Sequence, residues 1–206
     1  EWLMGDLPAN EEALEKHRSN LRAKPEELSS WIAIGNHHLL RGEDGLAEIF
    51  YLQVFRKNSG HPAAQNNLAY LRGRGGDFSR AMGGFKAALA SDEFAIQPKK
   101  NITRLFMGAG LWRHAAVNFR QLEARIPNDL EVKRGSALAA LATGKSGPAE
   151  SIGSMLRDGD GDNARFAEAA LALAKGNRDK AASIFGDLAG HNEYAKLVLD
   201  FWNTKE

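Results

Sequence analysis

Residues 31–54 read WIAIGNHHLLRGEDGLAEIFYLQV and contain two apolar segments on either side of a glycine. Apolar side chains recur three to four positions apart within each segment, as at Ala47 and Tyr51. This is the spacing of one face of an α-helix. Gly42 separates the segments, and glycine is favoured where a helix ends in a left-handed residue. The stretch therefore predicts a hairpin of two helices.

The same pattern returns along the chain with a period of 34 residues. Glycines recur at or near this spacing, at Gly42, Gly76, Gly110, Gly144 and Gly176. Alanines keep the same register, at Ala13, Ala47, Ala81, Ala115, Ala149 and Ala181. One hairpin cannot bury its apolar stripe alone, whereas stacked copies can. The period therefore predicts an array of helix pairs.

The composition also favours helices over strands. The 206 residues include 32 alanines and 24 leucines, but only 15 valines, isoleucines and threonines together. Helices favour alanine and leucine, and strands favour β-branched residues. We therefore expect an all-α protein.

Charge and cysteine content exclude several classes of function. The 27 lysines and arginines balance 26 aspartates and glutamates, which argues against a protein that binds nucleic acid. The absence of cysteine excludes disulfides, zinc–thiolate sites and cysteine nucleophiles. No apolar run approaches the roughly 18 residues of a membrane-spanning helix. Because the sequence begins at Glu1 without methionine, we expect a processed form or a piece of a longer chain.

The motif W-x-x-I-G-x-x-H from Trp31 and the motif A-x-x-x-F-x-x-A from Ala81 resemble the tetratricopeptide repeat. The resemblance implies an α-solenoid, a right-handed superhelical array of antiparallel helix pairs. It implies five repeats, at residues 28–61, 62–95, 96–129, 130–161 and 162–190. Residues 1–27 would form a partial leading repeat and cap, and residues 191–206 a C-terminal capping helix.

The first residues of the chain allow two interpretations. Trp2, Leu3 and Met4 are either the stub of a missing first helix or a tail that folds back. At the other end, the apolar residues from Tyr194 to Trp202 recur at helical spacing and predict the capping helix.

Two local motifs suggest ligands but fit structural roles better. Residues 139–146 match a loose phosphate-loop pattern, yet helix-forming residues precede the glycine where that loop needs a strand. The aspartates of residues 158–163 resemble the start of a calcium loop, but its twelfth position holds Ala169 instead of glutamate. We expect a polar turn there, with calcium as the alternative. No catalytic residue, metal site or cofactor is predicted, so the protein is not expected to be an enzyme.

In tetratricopeptide proteins, the first helix of each repeat lines a concave groove. The resemblance implies that the groove residues here are Asn36, Asn66, Tyr70, Arg74, Lys100, Arg104 and Arg134. Four are cations and Glu131 is the only acid close to them, which favours an acidic segment or a free carboxylate as ligand. Asn36, Asn66 and Tyr70 are expected to hydrogen-bond an extended peptide backbone. Charge reversal at Lys100, Arg104 and Arg134 should then weaken binding with little effect on thermal stability.

The predicted function is a scaffold or adaptor for protein–protein interactions that binds a protein or peptide partner. A self-associating structural protein and a cytoplasmic adaptor are the alternatives. The phrases NNLAYL at residues 66–71 and QPKKNI at residues 97–102 resemble bacterial cell-envelope members of the superfamily. Those members serve pilus assembly, secretion or cytochrome c maturation, so the bacterial periplasm or envelope is the expected location.

Overall fold

The computed structural model describes residues 2–143 and 161–192, together with residues 195, 196 and 199. All regular structure in these residues is helical, which confirms the predicted all-α fold. The helices are α1 (Glu11–Ala23), α2 (Leu28–Leu40), α3 (Asp44–Lys57), α4 (Pro62–Arg74), α5 (Phe78–Ser91), α6 (Ile96–Gly108), α7 (Trp112–Glu123), α8 (Leu130–Ala142), α9 (Gly161–Ala174) and α10 (Arg178–Leu188).

The chain forms two compact units, Glu1–Ile102 and Thr103–Glu206, and the boundary between them lies within α6. In the first unit, each helix from α1 to α4 packs against the next helix in sequence. In the second unit, α7 packs against α8, α8 against α9, and α9 against α10. The repeat boundaries stay predictions. Five apolar residues on which the capping helix was predicted lie outside the described residues, namely Tyr194, Leu197, Val198, Phe201 and Trp202.

Glycine turns end the first helix of successive pairs, as the 34-residue period predicted. The turn glycines with positive φ, between 69° and 84°, are Gly42, Gly76, Gly110 and Gly176. At the α4 terminus, the Gly76 N–H donates to the Gly73 carbonyl oxygen at 3.0 Å, and the Asp77 N–H donates to the Arg72 carbonyl oxygen at 2.9 Å. This pair of bonds satisfies carbonyl groups that the helix leaves unpaired at its end. Gly144 lies outside the described residues.

Aromatic side chains of the second helices are buried at a repeated position. The buried aromatic residues four positions after the repeated alanines are Tyr51, Phe85, Phe119 and Phe185. Gly35 of α2 lies directly against Tyr51, since a Cβ atom at position 35 would lie 2.5 Å from Tyr51 Cε1. Glycine at position 35 is therefore required for the close approach of α2 and α3.

A buried ion pair links two helices of the second unit. Only 1% of the Arg104 side chain on α6 is exposed, and its guanidinium group pairs with Glu131 of α8. The sequence predicted an open position for Arg104 in a basic groove. The structure instead buries this cation beside a carboxylate that neutralises it, so its charge cannot be reversed without an effect on stability.

The turn glycines yield a first prediction. Gly76→Ala should lower the free energy of unfolding by about 1–2 kcal/mol, because an L-residue is strained in the left-handed conformation. Gly83, within α5, is the matched control, since a Cβ there would meet no atom within 4 Å. Gly83→Ala should raise stability by about 0.5–1 kcal/mol, because alanine is the better helix former. Urea denaturation followed by circular dichroism measures both, and equal effects would contradict the turn assignment.

The ion pair yields a second prediction. Arg104→Glu should lower the free energy of unfolding by about 3 kcal/mol or more, because it sets two carboxylates together in a buried position. Arg113, which is exposed on α7, provides the control, and Arg113→Glu should change stability by less than about 0.5 kcal/mol. Thermal and urea denaturation measure these changes. An Arg104→Glu chain as stable as wild type would show that the pair is not buried in solution.

Candidate functional site

Residues 2–7, termed the leading segment, lie across α2, α4 and α6 in the first unit. The Met4 N–H donates to Asn67 Oδ1 at 2.9 Å. The Met4 carbonyl oxygen accepts from Asn67 Nδ2 and from Asn36 Nδ2, both at 3.0 Å. Asn36 Nδ2 also donates to the Asp6 carbonyl oxygen at 2.9 Å. Of the two interpretations of this end of the chain, the tail that folds back is therefore the one observed.

Trp2 binds at the other end of the leading segment. Its carbonyl oxygen accepts hydrogen bonds from Asn66 Nδ2 and Asn101 Nδ2, both at 2.8 Å. Its indole ring lies 5.2 Å from the Tyr70 ring between centroids, with an angle of 31° between the planes. Aromatic pairs at this separation contribute about 0.5–1.5 kcal/mol of stabilisation beyond that gained from burial of their surface area. Tyr70 therefore contacts the leading segment through its ring.

The four asparagines Asn36, Asn66, Asn67 and Asn101 form a continuous chain of hydrogen bonds, termed the asparagine row. All four side chains are fully buried. Asn101 Nδ2 donates to Asn66 Oδ1 at 2.8 Å, and Asn66 Nδ2 donates to Asn67 Oδ1 at 2.9 Å. Asn67 Nδ2 then donates to Asn36 Oδ1 at 2.7 Å. Asn101 Oδ1, at the end of the row, accepts from Gln97 Nε2 at 3.0 Å. These bonds orient every amide of the row, because each of the other three oxygens accepts from a neighbouring amide nitrogen.

Tyr51 supports the row from the second helix of its pair. The Tyr51 hydroxyl donates to Asn36 Oδ1 at 2.8 Å. Burial raises the pKa of the Tyr51 phenol above its ordinary value, so this group remains a neutral donor at physiological pH. The asparagine amides themselves do not titrate in this range.

The side chains of the leading segment pack mainly against apolar residues. Leu3 is 9% exposed and belongs to the core cluster of the first unit, which also contains Ile32 and Leu68. Met4 and Leu7 pack against the same cluster. The Asp6 side chain, by contrast, is 76% exposed. The first three positions of the segment are therefore in contact with the protein, and the Asp6 side chain lies largely in solvent.

Gly5 adopts a conformation that other residues rarely reach. Its φ is +87°, and a Cβ atom built at this position would lie 2.5 Å from Ile32 Cγ2. Ile32 is itself buried on α2, so the overlap cannot be relieved by a side chain that moves into solvent. Both the backbone and the available space at position 5 therefore require glycine.

Three of the predicted groove residues meet at this site. Asn36 and Asn66 bind the backbone of the leading segment, and Tyr70 packs against Trp2. The cations of the first unit have other contacts. Arg74 forms an ion pair with Asp44 at 2.9 Å, and its guanidinium carbon lies 6.0 Å from the Tyr70 ring centroid. Lys100 of α6 is buried.

The remaining predicted cations belong to the second unit. Arg104 pairs with Glu131, and the Arg134 guanidinium carbon lies 5.9 Å from the Phe166 ring centroid. A cation over an aromatic face is attracted by the electron density of the ring. Arg104 and Arg134 thus make contacts inside their own unit.

Two members of the asparagine row were not among the predicted groove residues. Asn67 and Asn101 are 34 residues apart and occupy the same position of consecutive repeats. Repeat register alone could have identified them, because residues one period apart lie on the same helix face.

The motifs that suggested other ligands fall partly outside the described residues. This holds for residues 158–163 and for residues 139–146. Within the described ranges, no group of three or more histidine, cysteine, aspartate or glutamate side chains is arranged to hold a metal ion. In the same ranges, no helix combines the length and apolar character needed to span a membrane.

Comparison with known proteins identifies the architecture. No protein-family model matches the chain, and no curated protein matches its sequence. Solved structures do match. PilW, a widely conserved type IV pilus biogenesis factor, is 16% identical, with a TM-score of 0.68 over 95% of this chain and 90% of PilW. YrrB, a tetratricopeptide-repeat protein with an unusual peptide-binding site, is 15% identical, with a TM-score of 0.63 over 94% of this chain and all of YrrB.

A third structure has the same repeat type. A tetratricopeptide-repeat protein from Parabacteroides merdae is 19% identical, with a TM-score of 0.61 over 93% of this chain and 77% of that protein. Since these identities are low, the similarity concerns the fold. The chain has the tetratricopeptide-repeat fold that the resemblance of its repeat motifs implied.

Proposed function

We propose that this chain is a non-enzymatic scaffold for protein–protein interactions and that its asparagine row binds an extended segment of a partner. The proposal is carried by the six hydrogen bonds between the row and the backbone of the leading segment. In these bonds the row accepts from one backbone N–H group and donates to three backbone carbonyl oxygens. Because every peptide has these groups, the same amides are suited to an extended segment from another protein.

The chemistry of the row favours binding over catalysis. An asparagine amide donates and accepts hydrogen bonds, but it does not exchange a proton with a substrate near neutral pH. It is also not a nucleophile. The row can therefore hold and orient a peptide, and the proposal includes no reaction.

The proposed partner segment is extended and mainly apolar. The charge pattern of the sequence predicted an acidic segment, but two of the four predicted cations are paired with carboxylates. These pairs are Arg74 with Asp44 and Arg104 with Glu131. Main-chain hydrogen bonds and apolar contacts are therefore the principal contributions in this proposal.

The proposed setting is assembly in the bacterial cell envelope. PilW is a type IV pilus biogenesis factor and YrrB has a peptide-binding site, which supports an assembly role and a peptide partner respectively. A cytoplasmic adaptor is the alternative. Immunodetection of the chain in periplasmic and cytoplasmic fractions separates the two locations.

Photo-crosslinking tests the proposed site. Tyr70, which is partly exposed beside Trp2, is replaced by p-benzoylphenylalanine in cells that produce the natural chain. Irradiation should join this position to a partner, and mass spectrometry should map the crosslink to an extended segment of that partner.

A matched aromatic position provides the control. Phe78 is 63% exposed at the start of α5 and is not part of the core cluster that contains Leu3. The same replacement at Phe78 should capture much less partner. A partner that crosslinks at Phe78 and not at Tyr70 would show that another surface is used.

A further inference from the structure

We propose that the leading segment closes the asparagine row against partner segments of its own kind, in which three apolar residues precede a glycine. This inference rests on the proposed function, since it concerns access to the same site and the peptides that the site selects.

Every amide N–H of the row is already engaged. Asn36 Nδ2 donates to the carbonyl oxygens of Met4 and Asp6. Each of the other three Nδ2 groups donates one bond to the leading segment and one to a neighbouring asparagine oxygen. Since an amide nitrogen has two hydrogens, no donor is left for a second peptide. A partner can therefore use these groups only when the leading segment is displaced.

The tether to α1 favours the closed state. Residues 8–10 alone connect the leading segment to the first residue of α1, Glu11. A short connection of this kind gives a tethered ligand an effective concentration in the millimolar range. A partner must therefore bind tightly or be locally concentrated to open the site.

The site also restricts which partners compete. Trp2 packs against Tyr70, and Leu3 and Met4 contact the core cluster, so three apolar side chains fit in succession. At the next position, a φ of +87° and a Cβ distance of 2.5 Å to Ile32 Cγ2 require glycine. The following side chain, Asp6, is 76% exposed and its Oδ2 lies 3.8 Å from His17 Nε2, so position 6 is restricted less than position 5.

The test uses the full chain and a fluorescein-labelled peptide with the sequence of residues 1–8. Gly5→Ala should displace the leading segment, and fluorescence anisotropy should then show peptide binding about tenfold tighter than in wild type. Faster hydrogen exchange of the Met4 amide reports the displacement directly. Gly45→Ala is the matched control, because a Cβ there meets no atom within 4 Å, and it should bind the peptide as wild type does.

A second variant opens the site by a different route. Met4→Pro removes the N–H that donates to Asn67 Oδ1, and it should also tighten peptide binding about tenfold. Circular dichroism verifies that both variants retain their helices. A peptide with alanine at the glycine position should bind the opened chains at least about tenfold more weakly.

The outcomes separate this inference from the proposed function. Equal peptide affinity in wild type and in both opened variants, with faster Met4 exchange, would disprove closure but leave a peptide site intact. Two results would disprove the glycine requirement. One is equal affinity for the peptide with alanine at the glycine position, and the other is a Gly5→Ala chain in which the leading segment stays bound. No peptide binding by an opened chain would overturn the inference, while crosslinking at Tyr70 would still decide the proposed function. Sedimentation velocity could instead show dimers in which the Met4 amide is protected from hydrogen exchange only in the dimer. That result would show that the leading segment binds to a second copy of the chain.

Discussion

A buried amide must have hydrogen-bond partners for both its N–H groups and its oxygen. The first unit meets this requirement for the four amides of the asparagine row. The side chains of Asn36, Asn66, Asn67 and Asn101 satisfy one another in part. The leading segment supplies the acceptors that remain. An unpaired buried polar group costs about 1–3 kcal/mol, so these contacts hold α2, α4 and α6 in one arrangement with the segment.

The repeat geometry makes this row possible. Consecutive helix pairs place the same position of each first helix on one face, so Asn67 and Asn101 align along it. Gly35 allows Tyr51 to approach α2 closely, and the Tyr51 hydroxyl then orients Asn36. The small and aromatic residues of the repeat thus serve packing and also position the amides that bind the backbone of the leading segment.

The leading segment can leave the asparagine row without leaving buried amides unpaired. When the segment leaves, water can reach the row and replace the lost hydrogen bonds, so the amides are not left buried without partners. The loss is then mainly the apolar contact of Leu3 and Met4 and the ring contact of Trp2. A site of this type can remain closed in the free protein and still open for a competing segment.

The amino-acid sequence by itself determined the helix pairs, the glycine turns at Gly42 and Gly76 and the aromatic core. These features follow from periodicity within a few turns of helix. The resemblance of its motifs placed Asn36 and Asn66 on one helix face, and both contact the leading segment there. The tertiary structure decided the position of the leading segment, whose bonds connect residues 30 to 99 positions apart, and the burial of Arg104 beside Glu131. Each of these contacts joins residues that are far apart in the sequence. The periodicity of a helix does not predict them, because the two residues meet only when the helices pack.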